Sequence, residues 1–395
     1  MKIAYFSPLG PQRTGVADYS EELLPHLAKY ADIDLFVDGY TPTSQALVRQ
    51  FPTHDYRDFT SLRRSEGYDV SLYQMGNSPF HQYIYRTLAE FPGVTVLHEH
   101  VLHHMVVEMT VGQGDEASYI REMGYCHGLE GADAAKLALR GANRFPYLQY
   151  PANSRVIDAS LGLIVHSEYL RSLVATSHPT TPVARIPHLL FPTKASPEDC
   201  RDIRRSLGIG SDSLLLASFG FATPDKRLDV AIRAFRRLRE QIPESRYLII
   251  GQVPPWYDLQ STIVEHGLGE AVQCIGYVSK EDLPKFIAAV DVAICLRWPT
   301  IGETSGSLIR FLSMGKPAIV SDVGSYAELR DDCCLKVAVG ENEEERLFQA
   351  MMTLGLNREK RAEMGNRAAS YVREHHDPDR SAAEYIRFLE KVLSL

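Results

Sequence analysis

Short apolar runs alternate with longer amphipathic stretches along this chain, the rhythm of repeated βα units. In the first half the runs fall at 2–6, 33–37, 70–73, 94–97, 161–165 and 183–186. The first is followed by a loop, 7–15, that carries Pro8, Gly10, Pro11 and Gly15. A helix then begins near Val16, with Tyr19, Leu23, Leu24 and Leu27 on one face. Strand, glycine loop, helix and strand make a βαβ unit, whose first loop is where α/β sheets bind ligands. The region 108–155 reads as amphipathic helix broken near Gly112 and Gly141. The rhythm stops at 187–212, where Pro192, Pro197, Gly208, Gly210 and many polar residues leave room for only a short helix. It restarts with runs at 214–219, 247–250, 272–275, 292–296 and 318–321. The expectation is α/β: a first domain over 1–187, a linker over 188–212, and a second domain over 213–377. Each is a doubly wound, Rossmann-like parallel sheet. The cleft between two such sheets, facing their strand C-termini, is the expected ligand site.

Length agrees, because 395 residues exceed one ordinary core. A net charge of −8 argues against a nucleic-acid partner, which calls for a basic face. No apolar run is long enough to cross a bilayer, and the chain opens on a strand rather than a signal peptide. The six cysteines form no C-x-x-C pair, and Cys274 and Cys295 lie in apolar runs. Reduced, mostly buried thiols in a cytoplasmic protein are expected.

The stretch 297–317, RWPTIGETSGSLIRFLSMGKP, holds the sharpest chemistry. It turns through Pro299 and Gly302 and opens a helix whose Leu308, Ile309, Leu312 and Met314 suit one buried face. Thr304, Ser305, Gly306 and Ser307 stand where a new helix has free N–H groups, a ready anion cradle. Glu303 just before them suits hydroxyls or a developing positive charge, so the pair of features fits a diphosphate sugar. The plainer reading is a Ser305 cap and a carboxylate at the helix's positive end, worth a few tenths to about 1 kcal/mol each. A second such loop follows the run 214–219: Gly220, then Pro224 as a first-turn proline, then Lys226 and Arg227 inside the first helical turn. Cations there oppose the helix dipole, which a bound anion explains, as would neutralisation by Asp225 and Asp229.

Histidines crowd 98–104. The H-E-x-x-H zinc pattern fails at Leu102, and the i, i+4 pair His100 and His104 has no evident third ligand, so no metal site is expected. His98 ends a predicted parallel strand, where site residues collect, although a satisfied structural histidine would look the same. Lys136, Arg140 and Arg144 lie beside Phe145, Tyr147, Leu148 and Tyr150. A solvated helix flank beside a packed loop accounts for them, and a phosphorylated acceptor or an anionic membrane surface is the alternative. There is no G-x-G-x-x-G, which disfavours a dinucleotide and a dehydrogenase.

With these residues in view, the chain resembles a GT-B glycosyltransferase of family 4, the retaining enzymes that use nucleotide-diphosphate sugars. The likeness is strongest over 218–328. Gly220 and Lys226 match the family's first loop of the second domain, with Phe221 at the arginine position and Arg227 at the second glycine. Gly276-Tyr277-Val278 resembles the strand end that meets the nucleobase. Glu303 and Gly306 match the first part of the family's acidic signature, and Gly315-Lys316-Pro317 its last part. The second glutamate, which holds ribose in the family, has no equivalent, since Arg310 and Phe311 occupy its neighbourhood. Gly15, with Val16, resembles the glycine loop near the donor phosphates, and His98 the histidine that touches the donor sugar. A final helix, about 378–395, is expected to cross back onto the first domain.

The resemblance implies a fold of two Rossmann-like domains facing a central cleft, and hexose transfer with retention from a UDP- or GDP-sugar to a glycan or lipid-linked acceptor. Glu303, Lys226 and His98 would be catalytic. Gly15, Val16, Gly220, Arg227, Tyr277, Val278, Arg297, Thr304, Ser305, Gly306 and Ser307 would bind substrate. The nucleotide sugar is a co-substrate, no cofactor or metal is expected, and peripheral membrane contact stays open. The competing readings are a nucleotide-sugar epimerase, a sugar phosphorylase and a non-catalytic sugar-nucleotide binding protein.

Overall fold

The computed structural model describes residues 1–141, 145–190 and 194–394. Arg144 and Pro192, both singled out above, lie outside them. Contacts divide the chain into two compact units. The first comprises Met1–Leu189, Ile301–Thr304 and Pro378–Leu395; the second comprises Leu190–Thr300 and Ser305–Asp377.

The first unit holds seven parallel strands: β1 (Lys2–Phe6), β2 (Asp32–Val37), β3 (Thr53–Asp55), β4 (Val70–Met75), β5 (Gly93–Leu97), β6 (Ser160–Val165) and β7 (Val183–Arg185). Their order is β3-β2-β1-β4-β5-β6-β7. Central strands are mostly apolar because helices cover both faces; every residue of β4 and of β5 is buried, Ser71, Gln74 and Thr95 included. The chain winds outward from β1 to β3, then restarts at β4 on the other side of β1, so the switch point lies between β1 and β4. The helix Gly15–Leu27 buries Tyr19, Leu23, Leu24 and Leu27 as its spacing predicts. The helix Pro378–Leu393 packs beside it: the Tyr19 and Tyr385 hydroxyls are 2.7 Å apart, and Ala382, Tyr385, Leu389 and Val392 enter the core with β1 and β2. A β-carbon on Gly162 of β6 would sit 2.9 Å from Val392 and 3.0 Å from Phe388.

The second unit repeats the plan with six parallel strands: β8 (Leu215–Phe219), β9 (Arg246–Ile250), β10 (Val272–Gly276), β11 (Val292–Cys295), β12 (Ala318–Ser321) and β13 (Cys334–Val337). The order is β10-β9-β8-β11-β12-β13, with the switch point between β8 and β11.

Several expectations change. The edge strands β3 and β13 were not read from the sequence, being short and mixed in polarity. The region 108–155 breaks at Gly128 (φ 64°), within the helix Glu116–Leu139, as well as at its ends. The linker's helix, Pro197–Ser206, belongs to the second unit, where the Arg204 guanidinium donates to the Ala289 carbonyl (3.0 Å) and to Asp291 (2.7 Å). All six cysteines are free thiols, but Cys274 is exposed rather than buried, because β10 is an edge strand. Phe145, Tyr147 and Tyr150 pack on the first unit's core and Lys136 pairs with Asp133, the arrangement of a packed loop beside a solvated helix flank. Among the described residues no helix is long and apolar enough to cross a membrane.

Candidate functional site

In the second unit the predicted residues collect where α/β sheets bind ligands, at the C-terminal ends of β8 and β11. The ends of β8, β9 and β10 meet backbone to backbone. The Gly251 N–H donates to the Gly276 carbonyl (2.8 Å), and a β-carbon on Gly251 would lie only 2.1 Å from the Gly220 carbonyl oxygen. All three glycines have positive φ, so side chains are excluded by conformation as well as by space at Gly251. Tyr277, next to Gly276, is exposed, and Val278 packs on the core beneath.

Lys226 and the helix Gly306–Ser313 come together here. A β-carbon on Gly220 would sit 3.1 Å from Lys226 Nζ and 3.3 Å from Ser307 Oγ. The ammonium and the helix start therefore flank one glycine, as expected for two stretches gripping one anion. Ser305 caps that helix, its hydroxyl accepting from the Leu308 N–H (3.2 Å), which leaves the Gly306 and Ser307 amides at the open first turn.

Two predicted anion ligands are placed differently. Pro224–Lys226 is a single 3-10 turn, Arg227 has left-handed backbone (φ 55°), and the α-helix starts only at Leu228. That turn sends the Arg227 guanidinium to the buried Glu343 carboxylate, so it is not a first-turn cation facing a phosphate. Arg297 is held by Asp225: its guanidinium pairs with that carboxylate, and the next residue, Trp298, donates its N–H to the Asp225 carbonyl (2.7 Å). Asp229 pairs with Arg233. Asp229 also adds its charge beside Arg227, and the Asp225 pair fastens the Lys226 turn to the end of β11.

In the first unit the site residues lie near the β1–β4 switch point. Gly15 opens the helix that Thr14 caps, and a side chain there would meet nothing within 4 Å; Val16 is buried beside it. His98, at the end of β5, is buried, its Nε2 2.8 Å from Gln74 Oε1 on β4 and its ring against Tyr19 and His166. Burial, and then His166, His188 and His81 around it, hold its pKa well below the ordinary value, so it is a neutral imidazole. His81 is pushed down to about 4 by burial alone. The Nε2 atoms of Gln74 and His81 are buried and have no hydrogen-bond partner among the described residues. Gln74 was missed in the sequence, although a glutamine in an otherwise apolar central strand is a readable signal.

Glu303 and Thr304 belong to this unit by their contacts, not to the helix that follows them. Glu303 Oε2 accepts from the Ile301 N–H (2.8 Å), and the Ile301 carbonyl accepts from the N–H groups of His100 (2.7 Å) and Val101 (3.3 Å). Phe311 and Arg310, in the neighbourhood where the resemblance lacks an equivalent of the second glutamate, are both buried. Among the described residues no group of three or more His, Cys, Asp or Glu could hold a metal ion. His103 instead bonds the Tyr150 carbonyl and the Tyr119 hydroxyl.

Residues 199–371 match the family model described as glycosyl transferases group 1. An uncharacterized glycosyltransferase of Methanocaldococcus jannaschii is 25% identical over 53% of this chain and 51% of its own length. The D-inositol 3-phosphate glycosyltransferase of Stackebrandtia nassauensis is 26% identical over 45% of this chain and 42% of its own. The matches thus span about half the length of these curated relatives. The crystal structure of Anabaena HepE in complex with UDP superposes with a TM-score of 0.69 at 15% identity, covering 99% of this chain and 100% of that one. Residues 199–371 are thus similar to the glycosyl transferases group 1 model, and the two parallel α/β sheets have the GT-B fold of that structure.

Proposed function

We propose that this protein is a retaining glycosyltransferase that moves a hexose from a nucleotide-diphosphate sugar to an acceptor hydroxyl. The observation that carries the reading is Lys226 Nζ and the Ser307 hydroxyl converging on Gly220 at the β8–β11 switch point. As the bond from C1 to the diphosphate oxygen breaks, the ring gains oxocarbenium character and the diphosphate gains negative charge. Lys226 and the Gly306 and Ser307 amides are assigned that charge, a preorganised electrostatic role. Glu303 is assigned the sugar hydroxyls. His98, a neutral imidazole, is assigned a hydrogen bond to the ring. The acceptor proton leaves to the departing phosphate, so the scheme uses no separate general base. The Lys226 cation and the N–H dipoles do the work a metal would otherwise do. The likeness to a structure solved with UDP supports a UDP-sugar donor.

A thermal-shift panel of UDP-, GDP- and ADP-sugars tests the donor, because a ligand at about 100 times its Kd stabilises the native state by about 2.7 kcal/mol. Mass spectrometry and NMR of products from mixed acceptors then read transfer and anomeric configuration. Nucleotide release that needs acceptor, with an α-linked product from an α-linked donor, is the expected result. Isomerisation without acceptor would replace the reading with an epimerase. A second reading, sugar-nucleotide binding without transfer, is favoured by the missing equivalent of the family's second glutamate, with Arg310 and Phe311 in its neighbourhood. It requires Glu303→Ala to behave as wild type in every assay.

A further inference from the structure

We infer that Asn153 is a positioning residue for the Glu303 carboxylate, acting through the backbone of His100; the inference rests on the role proposed for Glu303. Asn153 is 3% exposed and sits at the start of the helix Ser154–Asp158. An asparagine there ordinarily caps the helix by accepting from one of its first N–H groups. This one caps nothing. Its Nδ2 donates instead to the His100 carbonyl (2.7 Å) and faces His100 Nδ1 at 3.1 Å. The residue before it, Ala152, is fully buried with left-handed backbone (φ 54°), a state alanine rarely adopts and one that surrounding structure must hold. Two contacts hold it: the Ala152 N–H donates to His127 Nε2 (3.0 Å), and the Pro151 carbonyl accepts from the Leu102 N–H (2.8 Å). Residues 151–153 therefore grip the segment 100–102 at both ends.

That segment in turn grips the carboxylate. The His100 and Val101 N–H groups share the Ile301 carbonyl, and the Ile301 N–H donates to Glu303 Oε2. Between them Gly302 has φ 91°, and a β-carbon there would lie 2.7 Å from His100 Cβ and 3.3 Å from Leu170 Cδ1, so only glycine lets the turn lie this close. Asn153, His100, Ile301 and Glu303 form one chain of hydrogen bonds inside the first unit. Thr300 and Ser305, on either side of the tetrapeptide, belong to the second. The side chain assigned to the sugar thus takes one of its carboxylate hydrogen bonds from a tetrapeptide held by the first unit. Nothing in the sequence motif around Glu303 points to residue 153.

The test uses the full-length protein and Asn153→Asp, which keeps the shape, removes the donor and remains a good helix cap. Turnover is followed as acceptor-dependent release of UDP, GDP or ADP from UDP-glucose, GDP-mannose and ADP-glucose. Asn153→Asp is expected to lower kcat roughly tenfold while the donor KM stays within about twofold, the pattern of an interaction lost in the transition state alone. In the Glu303→Gln background the same change should have no further effect. Amide hydrogen exchange should quicken at residues 100–102 and 301–303 and not at 306–312. Additive losses in the double variant, a loss confined to KM, or unchanged exchange would each overturn the inference. Should wild type turn over none of the three donors, the glycosyltransfer reading fails, and the exchange result still decides whether Asn153 holds this chain of bonds. If Asn153→Asp does not fold, Asn153→Ser, which keeps a shorter donor, takes its place in the same measurements.

Discussion

At the β8–β11 end of the second sheet, charge stands in pairs: Arg297 on Asp225, Arg227 on Glu343, Arg233 on Asp229 and Glu344. At the β1–β4 end of the first sheet His81, His98 and Gln74 are all buried, with the two imidazoles kept neutral by desolvation. The first arrangement keeps its charges at any pH where carboxylates are ionised and suits the binding of an anion. The second offers hydrogen bonds of fixed polarity but depends on a proton staying off. The same switch-point geometry thus supports a charged site and a neutral one, and acid should separate them.

The largest expected effect is on pH stability. Burial pushes His81, His100 and His103, all in the first unit, down to about 4, against about 6.5 in an unfolded chain. Between those values the unfolded state binds more protons, so stability is full above pH 6.5 and is lost as pH falls toward 4. Each histidine adds a slope of up to about 1.4 kcal/mol per pH unit, several kcal/mol in sum. The chain's two tryptophans, Trp256 and Trp298, are both in the second unit. Urea melts at pH 7 and pH 5 should show the loss by circular dichroism, with tryptophan fluorescence changing less. Equal loss by both probes would break the contrast.

The next effect is catalytic. Lys226→Ala should lower turnover a hundredfold or more, about 3–4 kcal/mol, with little change in melting temperature. Gly251→Ala should destabilise the second unit by about 3 kcal/mol, since its β-carbon would press on the Gly220 carbonyl at positive φ; a thermal melt measures it. Asp225→Ala, which takes the carboxylate from a largely buried Arg297, should remove about 2 kcal/mol and loosen the Lys226 turn, seen as a raised donor KM. The smallest is Tyr19→Phe: losing the hydroxyl paired with Tyr385 should reduce first-unit stability by about 1 kcal/mol in a urea titration.

The central strands were legible because buried parallel strands leave mostly apolar runs; β3, reading THD, leaves none. Lys226, Gly220 and the helix start at Ser305 were legible as motifs, and the fold brings them together. Arg227 and Arg297 were read as anion ligands because sequence shows a cation's position and not its partner. Glu343 lies far along the chain, and the 3-10 turn that aims Arg227 toward it differs from an α-turn by one hydrogen bond. Asn153 and Gln74 act through contacts distant in sequence, where no local spacing registers them.

The helix Pro378–Leu393 has a consequence for biosynthesis. The final helix, through Ala382, Tyr385, Ile386, Phe388, Leu389 and Val392, completes a core whose other members are made before residue 190, so the first sheet waits while the ribosome delivers residues 190–377. At translation speeds of about 5–20 residues per second the wait is on the order of 10–40 s. Throughout it, the apolar surface around Tyr19 and Gly162 lacks its cover. The second unit, contained wholly within 190–377, is placed to mature first on the ribosome, and the half synthesised earlier finishes last.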